Sequence, residues 1–166
     1  NQTQHQAALE ISVTQSLQDA ASADLVIEAA SENEDLKTRI FQDLSNNASE
    51  DAILASNTSS ISITRLAEAV HNPGRLIGLH FFNPVPLMKL VEVIQGKSTD
   101  PAALEAGMAF AQSLGKTPIL VQDSPGFIGN RILIPMINEA ILTLEEGVAA
   151  AESIDEVMKL GMGHPM

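Results

Sequence analysis

LIGLHFFNPVPLMKLVEVIQG, running from Leu76 to Gly96, reads as strand, tight turn, strand. Leu76 to Phe82 is an apolar run that carries a single titratable residue, His80. Asn83-Pro84-Val85-Pro86 ends the run, because proline lacks a backbone donor and pushes the residue before it away from helix. Lys89 to Ile94 is a second β-like run with one embedded acid, Glu92. If the two runs turn back on each other, His80 and Glu92 come within reach. An imidazole held by a carboxylate is a tuned general base.

Upstream of this pair, Ile63 to Val70 reads as a helix and Asn57-Thr58-Ser59-Ser60 as a polar turn. Ala52 to Ser56 and Asp24 to Ala30 are short aliphatic runs, the pattern of buried, parallel strands. Between them Asp35 to Leu44 places Leu36, Ile40, Phe41 and Leu44 on one helical face. Ser16 to Ser22 is a short helix, and the alternation in Leu9 to Val13 predicts a strand. Residues 1–7 are polar and read as a frayed end or the tail of a helix. Downstream, Pro101 opens a helix that runs to about Leu114, where Gly115 ends it; Thr117 to Gln122 is a strand. The character then changes. Ser124-Pro125-Gly126 reads as a cap, Phe127 to Glu146 as one long helix containing Pro135, and Ala150 to Leu160 as another. The alternation predicts a doubly wound α/β sheet over residues 1–122, followed by the start of an all-helical domain over 123–166.

The chain has 166 residues, enough for a real core. Its net charge is 9 − 21 = −12, which argues against a bulk electrostatic grip on nucleic acid or an anionic membrane. An anionic ligand would need local backbone N–H groups and a few placed cations. The absence of cysteine excludes disulfides and thiolate chemistry and leans towards a reducing, cytoplasmic setting. Neither a spanning apolar run nor a signal-peptide pattern is visible. A start on Asn1 and a finish on Gly161-Met162-Gly163-His164-Pro165-Met166 lead us to expect a segment of a longer protein.

In an open α/β sheet, ligands bind at the carboxyl ends of the strands. That rule singles out Ser31, Glu32, Asn33 and Lys37 after the first aliphatic strand, and Asn57, Thr58 and Ser59 after the second. It also singles out His80 and Asn83 at the end of the third. Each has an ordinary structural reading. A lone histidine on an apolar strand is usually a core residue, and Asn-Thr-Ser-Ser is usually a turn bonded to its own backbone. Glu92 could face solvent, Lys37 lies on a polar helix face, and Asn130 could cap a helix or sit on the surface. The four histidines have no metal-ligand spacing, and G-x-S-x-G, G-x-G-x-x-G and Walker loops are all absent.

Longer motifs carry more. VIEAASEN (Val26 to Asn33), SNTSSISIT (Ser56 to Thr64), GLHFFNPVPLMKLVEV (Gly78 to Val93), DSPGFIGNRI (Asp123 to Ile132) and KLGMGHPM (Lys159 to Met166) together resemble the L-3-hydroxyacyl-CoA dehydrogenase family, in its order and approximate spacing. The likeness is greatest to the bacterial 3-hydroxybutyryl-CoA dehydrogenases. It implies an incomplete Rossmann-type sheet, NAD as cofactor, an acyl-CoA substrate and, for the full-length protein, a homodimer. It implies that His80 takes the proton of the 3-hydroxyl as hydride leaves for the nicotinamide, and that Glu92 orients the imidazole. Ser59 then corresponds to the serine that bonds the substrate oxygen, and Asn130 to the asparagine near the reacting carbonyls. Asn83, Glu32, Lys37 and Asn57 correspond to positions near the cofactor. The sequence departs from the family pattern in lacking the Gly-rich loop and in ending early in the helical domain; Gly129 stands where a β-branched residue is common. Alternatives are a non-catalytic relative of the same fold, the dehydrogenase part of a multifunctional fatty-acid oxidation protein, and a 3-hydroxyadipyl-CoA dehydrogenase.

Overall fold

The computed structural model describes residues 10–20 and 22–165. They fall into two units, Asn1–Ser124 and Pro125–Met166. The first is built on a five-stranded sheet of β1 (Leu25–Glu28), β2 (Ile53–Ser56), β3 (Leu76–Phe81), β4 (Leu90–Gln95) and β5 (Thr117–Gln122), in that spatial order. β1, β2 and β3 run parallel, β4 is antiparallel to β3, and β5 is parallel to β4. The helices of this unit are α1 (Leu17–Ala20), α2 (Glu34–Asn47), α3 (Ile63–Ala67) and α4 (Pro101–Ser113).

Strand alternation sorts the side chains onto two faces. On one face Ile77, Leu79, Val91 and Val93 pack with Ala103, Leu104 and Ala111 of α4. Gly107 permits the close approach, since a Cβ there would stand 2.5 Å from Ile77 Cδ1. On the other face a Cβ on Gly78 would stand 2.7 Å from Ile94 Cβ and 3.1 Å from Ile63 Cδ1, so α3 covers this side, with α2 packed beside it. Both faces are covered, which is the doubly wound arrangement. His80 lies two residues beyond Gly78 and therefore shares the face of α3.

α2 starts where Asn33 Oδ1 accepts from the Leu36 amide at 2.9 Å, with Glu34 and Asp35 in its first turn suiting the helix dipole. It buries Phe41 and Leu44 as the periodicity predicts, but also Lys37.

The structure departs from the sequence reading in four places. Residues 10–13 are not a strand: a period-2 pattern supplies a face but not a ladder partner, and Ile11 and Val13 are exposed. Leu9 and residues 1–7 lie outside the described residues. β3 and β4 are joined not by a tight turn but by residues 82–89, where Lys116 Nζ donates to the carbonyls of Val85 and Met88. α3 ends at Ala67 rather than Val70.

The fourth departure lies in the second unit. Here α5 (Gly129–Glu145) begins two residues later than expected, because Gly126 at φ 75° and Phe127 at φ 50° are both left-handed and cannot be helical. α6 (Ala151–Glu156) continues into a π-helical turn, Val157–Gly161. An apolar groove of about 740 Å³ within this unit is lined by residues that include Ile137, Ile141, Leu144, Ile154 and Met158. Among the described residues no helix is long and apolar enough to cross a membrane.

Candidate active site

The parallel β1, β2 and β3 end side by side, and β3 runs on to meet β4. In that ladder His80 is paired directly with Glu92. Both are buried, at 5% and 1% exposure, and His80 Nδ1 lies 2.8 Å from Glu92 Oε2. A carboxylate only accepts, so with Glu92 ionised this bond takes a proton from Nδ1, and a neutral ring then carries its lone pair on Nε2. The Phe82 ring stands 4.7 Å from the His80 ring, centroid to centroid, tilted by 46°.

Asn57, the first residue past β2, bridges two strand ends. Its amide donates to Glu28 O at 2.8 Å, and its Oδ1 accepts from the Phe81 amide at 2.9 Å, next to His80. The exposed Ser59 follows on the turn. Glu32, on the loop after β1, grips that turn through one oxygen. Oε1 accepts from Thr58 Oγ1 at 2.5 Å, from the Ser59 and Ser60 amides at 3.0 Å each, and from Ser60 Oγ at 2.9 Å. Burial alone would raise the Glu32 carboxyl. The bonds from Thr58, Ser60 and Ser59, with the Lys37 charge, outweigh it and hold the group below its ordinary range.

Lys37 is not solvated. Its side chain is 1% exposed, 2.7 Å from Glu28 Oε1 and 3.6 Å from Glu32 Oε2. Asn83 is exposed on the loop after β3, and its bond to Pro84 is cis. His80, Glu92, Asn57, Ser59 and Glu32 thus lie on or just past neighbouring strands of the first unit, and Lys37 reaches Glu28 and Glu32 from α2. Asn130 is the second residue of α5, in the other unit.

Reasoning from sequence passed over two acids. Glu28 ends β1 and is the buried partner of Lys37; an acid inside the aliphatic run DLVIEAA was the available signal. Asp123, just past β5, accepts from Ser62 Oγ at 2.7 Å and from the Thr64 amide at 2.8 Å, across a sequence gap too long for local reasoning to bridge.

A doubly wound sheet with polar groups gathered at the carboxyl ends of its parallel strands is the architecture of a dinucleotide-binding α/β domain. The chain belongs to the 3-hydroxyacyl-CoA dehydrogenase family: residues 1–124 match its NAD binding domain and residues 126–166 its C-terminal domain. It is 56% identical over 156 residues to 3-hydroxybutyryl-CoA dehydrogenase of Bradyrhizobium diazoefficiens, covering 94% of this chain and 53% of that protein. It is 51% identical over 145 residues to the mitochondrial hydroxyacyl-coenzyme A dehydrogenase of Sus scrofa, covering 87% of this chain and 46% of that protein. The crystal structure of (S)-3-hydroxybutyryl-CoA dehydrogenase from Ralstonia eutropha superposes with a TM-score of 0.89 at 53% identity, covering 92% of this chain and 54% of that one. The chain therefore spans about half the length of the relatives it matches.

Proposed function

We propose that this chain is part of an NAD-dependent dehydrogenase that oxidises (S)-3-hydroxyacyl-CoA, with 3-hydroxybutyryl-CoA as the substrate, to 3-ketoacyl-CoA in fatty-acid or butanoate metabolism. Residues 1–122 belong to its NAD-binding domain and residues 123–166 begin its helical domain. The observation that carries the reading is the buried bond of 2.8 Å between His80 Nδ1 and Glu92 Oε2 at the end of β3.

His80 is the general base. Nε2 accepts the proton of the substrate 3-hydroxyl while Nδ1 keeps its proton on Glu92, whose charge stabilises the imidazolium that forms. In the reducing direction the same nitrogen returns the proton to the carbonyl oxygen. The Ser59 hydroxyl holds that oxygen, and the family likeness alone gives the Asn130 amide the neighbouring carbonyl. The donor set suits the nicotinamide end of a dinucleotide: Asn83 is exposed, Asn57 half-buried, and both are neutral amides. These two, with Glu32, would hold NAD, which supplies the hydride acceptor when bound; Lys37, its side chain 1% exposed, serves the cofactor only through its contact with Glu32. The name of the Bradyrhizobium relative supports the choice of substrate. The family likeness supports a homodimer for the full-length protein; a cytoplasmic setting rests on the absence of cysteine, since the family includes the mitochondrial Sus scrofa relative.

The test is turnover of acetoacetyl-CoA by the full-length protein, followed as loss of NADH absorbance. We expect NADH oxidation that depends on acetoacetyl-CoA. No turnover with acetoacetyl-CoA or a longer 3-ketoacyl-CoA would support the reading as a non-catalytic relative.

A further inference from the structure

Glu28 is a buried acid that the catalytic reading leaves without a role. It is 5% exposed, and its carboxylate joins three segments. Oε1 accepts from the Ala30 amide at 2.6 Å and from Lys37 Nζ at 2.7 Å, while Oε2 accepts from Ser56 Oγ at 2.7 Å. The Lys37 ammonium also donates to Ala30 O at 3.1 Å and stands 3.6 Å from Glu32 Oε2. Glu32 in turn accepts from the amides of Ser59 and Ser60. A continuous path of charge-assisted contacts runs from the end of β1, through α2, to the backbone of Ser59.

Charge balance explains why the path needs two acids. An ammonium taken out of water needs a close counter-charge. Glu28 supplies it at hydrogen-bond distance, which leaves Glu32 as the farther partner, free to spend Oε1 on the turn. Without the Glu28 charge, Lys37 has only Glu32 to pair with. Closing that longer gap draws the Glu32 carboxylate towards Lys37 and off the amides of Ser59 and Ser60. We propose that Glu28 is a positioning residue that acts through Lys37 and Glu32 to set the turn carrying Ser59. The inference rests on the reading of Ser59 as a group that bonds the substrate oxygen.

The test is Glu28→Gln in the full-length protein, read by amide hydrogen exchange and by kinetics. Glutamine keeps the size and one acceptor but removes the charge. Protection of the Ser59 and Ser60 amides is expected to fall about tenfold, while the amides of Val91 and Val93 in β4 keep theirs. kcat for acetoacetyl-CoA reduction is expected to fall about tenfold, with less than about twofold further loss when the change is made in a Ser59→Ala background. The double variant Glu28→Gln/Lys37→Met removes the stranded ammonium and should restore protection at Ser59 and Ser60. Unchanged protection there, a uniform loss across β4 that the double variant does not repair, or multiplicative losses in the Ser59→Ala background would overturn the positioning role. Absence of turnover in the wild type, or a Ser59→Ala variant with undiminished kcat, would instead refute the catalytic reading. Hydrogen exchange would still decide for or against the positioning role.

Discussion

His80 and Glu92 face each other across one rung of the ladder between β3 and β4, so no loop has to close to bring them together. Rigid neighbouring strands hold the imidazole at hydrogen-bond distance from its carboxylate, which is the preorganisation a base needs. If His80 is that base, His80→Ala lowers kcat by roughly 10²–10⁴-fold with little change in melting temperature, and an unchanged rate would remove it from the mechanism. Glu92→Gln is the milder change. Its amide can donate to Nδ1 and so favour the ring tautomer with the proton on Nε2, where the base needs a lone pair. We expect kcat to fall about tenfold or more, but less than in His80→Ala, in side-by-side steady-state kinetics. This pair was legible in the sequence because counting along two short strands puts both residues on one face. Lys37 was not. On a helix wheel it occupies a polar face, and nothing in α2 itself says that this face lies over the acid that ends β1. The ammonium is buried because Glu28 and Glu32 come from outside the helix.

At the level of elements, α3 shows how a short helix is fixed by partners far along the chain. Ser62 Oγ accepts from the Arg65 amide at 3.2 Å and donates to Asp123 Oδ2, which also takes the Thr64 amide. Two of the helix's orphan amides are thus satisfied by two side chains. Burial alone would raise the Asp123 carboxyl, but the bonds from Ser62, Thr64 and the Ile63 amide outweigh it and hold the group below its ordinary 3.8. The folded state therefore favours the carboxylate more than the unfolded chain does. That stabilisation is complete above the ordinary value and is lost as pH falls through the lower folded one. Asp123→Ala should cost about 0.5–2 kcal/mol at neutral pH by urea unfolding, a gap that narrows in the acid range below the ordinary value; a gap independent of pH would contradict the assignment. The two glycines at the helix–sheet contacts predict different outcomes. The Cβ of Gly78→Ala meets Ile94 Cβ, which cannot swing away, so about 1–3 kcal/mol should be lost. The Cβ of Gly107→Ala meets only the tip of Ile77, and about 1 kcal/mol of helix propensity offsets the crowding, so the same denaturation should read near zero. The strands were legible as aliphatic runs between turn residues. Residues 10–13 misled because alternation is a property of one strand and pairing is a property of two. The start of α5 misled because Pro125-Gly126 resembles a cap, while the left-handed backbone extends one residue further, to Phe127.

On the scale of the whole molecule, charge and ligand are in conflict. The chain carries a net charge of −12, and NADH is itself anionic, so long-range attraction contributes nothing to their association. At the strand ends the groups nearest the proposed nicotinamide position are neutral amides, a hydroxyl and the acid Glu32. The one cation among the candidate residues, Lys37, is buried between two carboxylates. A pyrophosphate is ordinarily held by backbone N–H groups of a Gly-rich loop at a helix N-terminus, and these 166 residues contain no G-x-G-x-x-G. The fold and the proposed site residues were legible in the sequence because the motifs at the strand ends carry them. Dinucleotide affinity follows a different logic, since it depends on donors that the motifs around His80 do not provide. The 166-residue chain by itself should therefore bind NADH weakly. If a Gly-rich loop supplies two charge-assisted hydrogen bonds, at about 1.5–3 kcal/mol each, a chain without one binds about a hundredfold or more weakly, and the Bradyrhizobium relative is the comparison. Fluorescence titration of both proteins with NADH in one buffer measures the ratio. A Kd for the 166-residue chain within about threefold of the relative's would mean that the strand ends bind the dinucleotide without a Gly-rich loop.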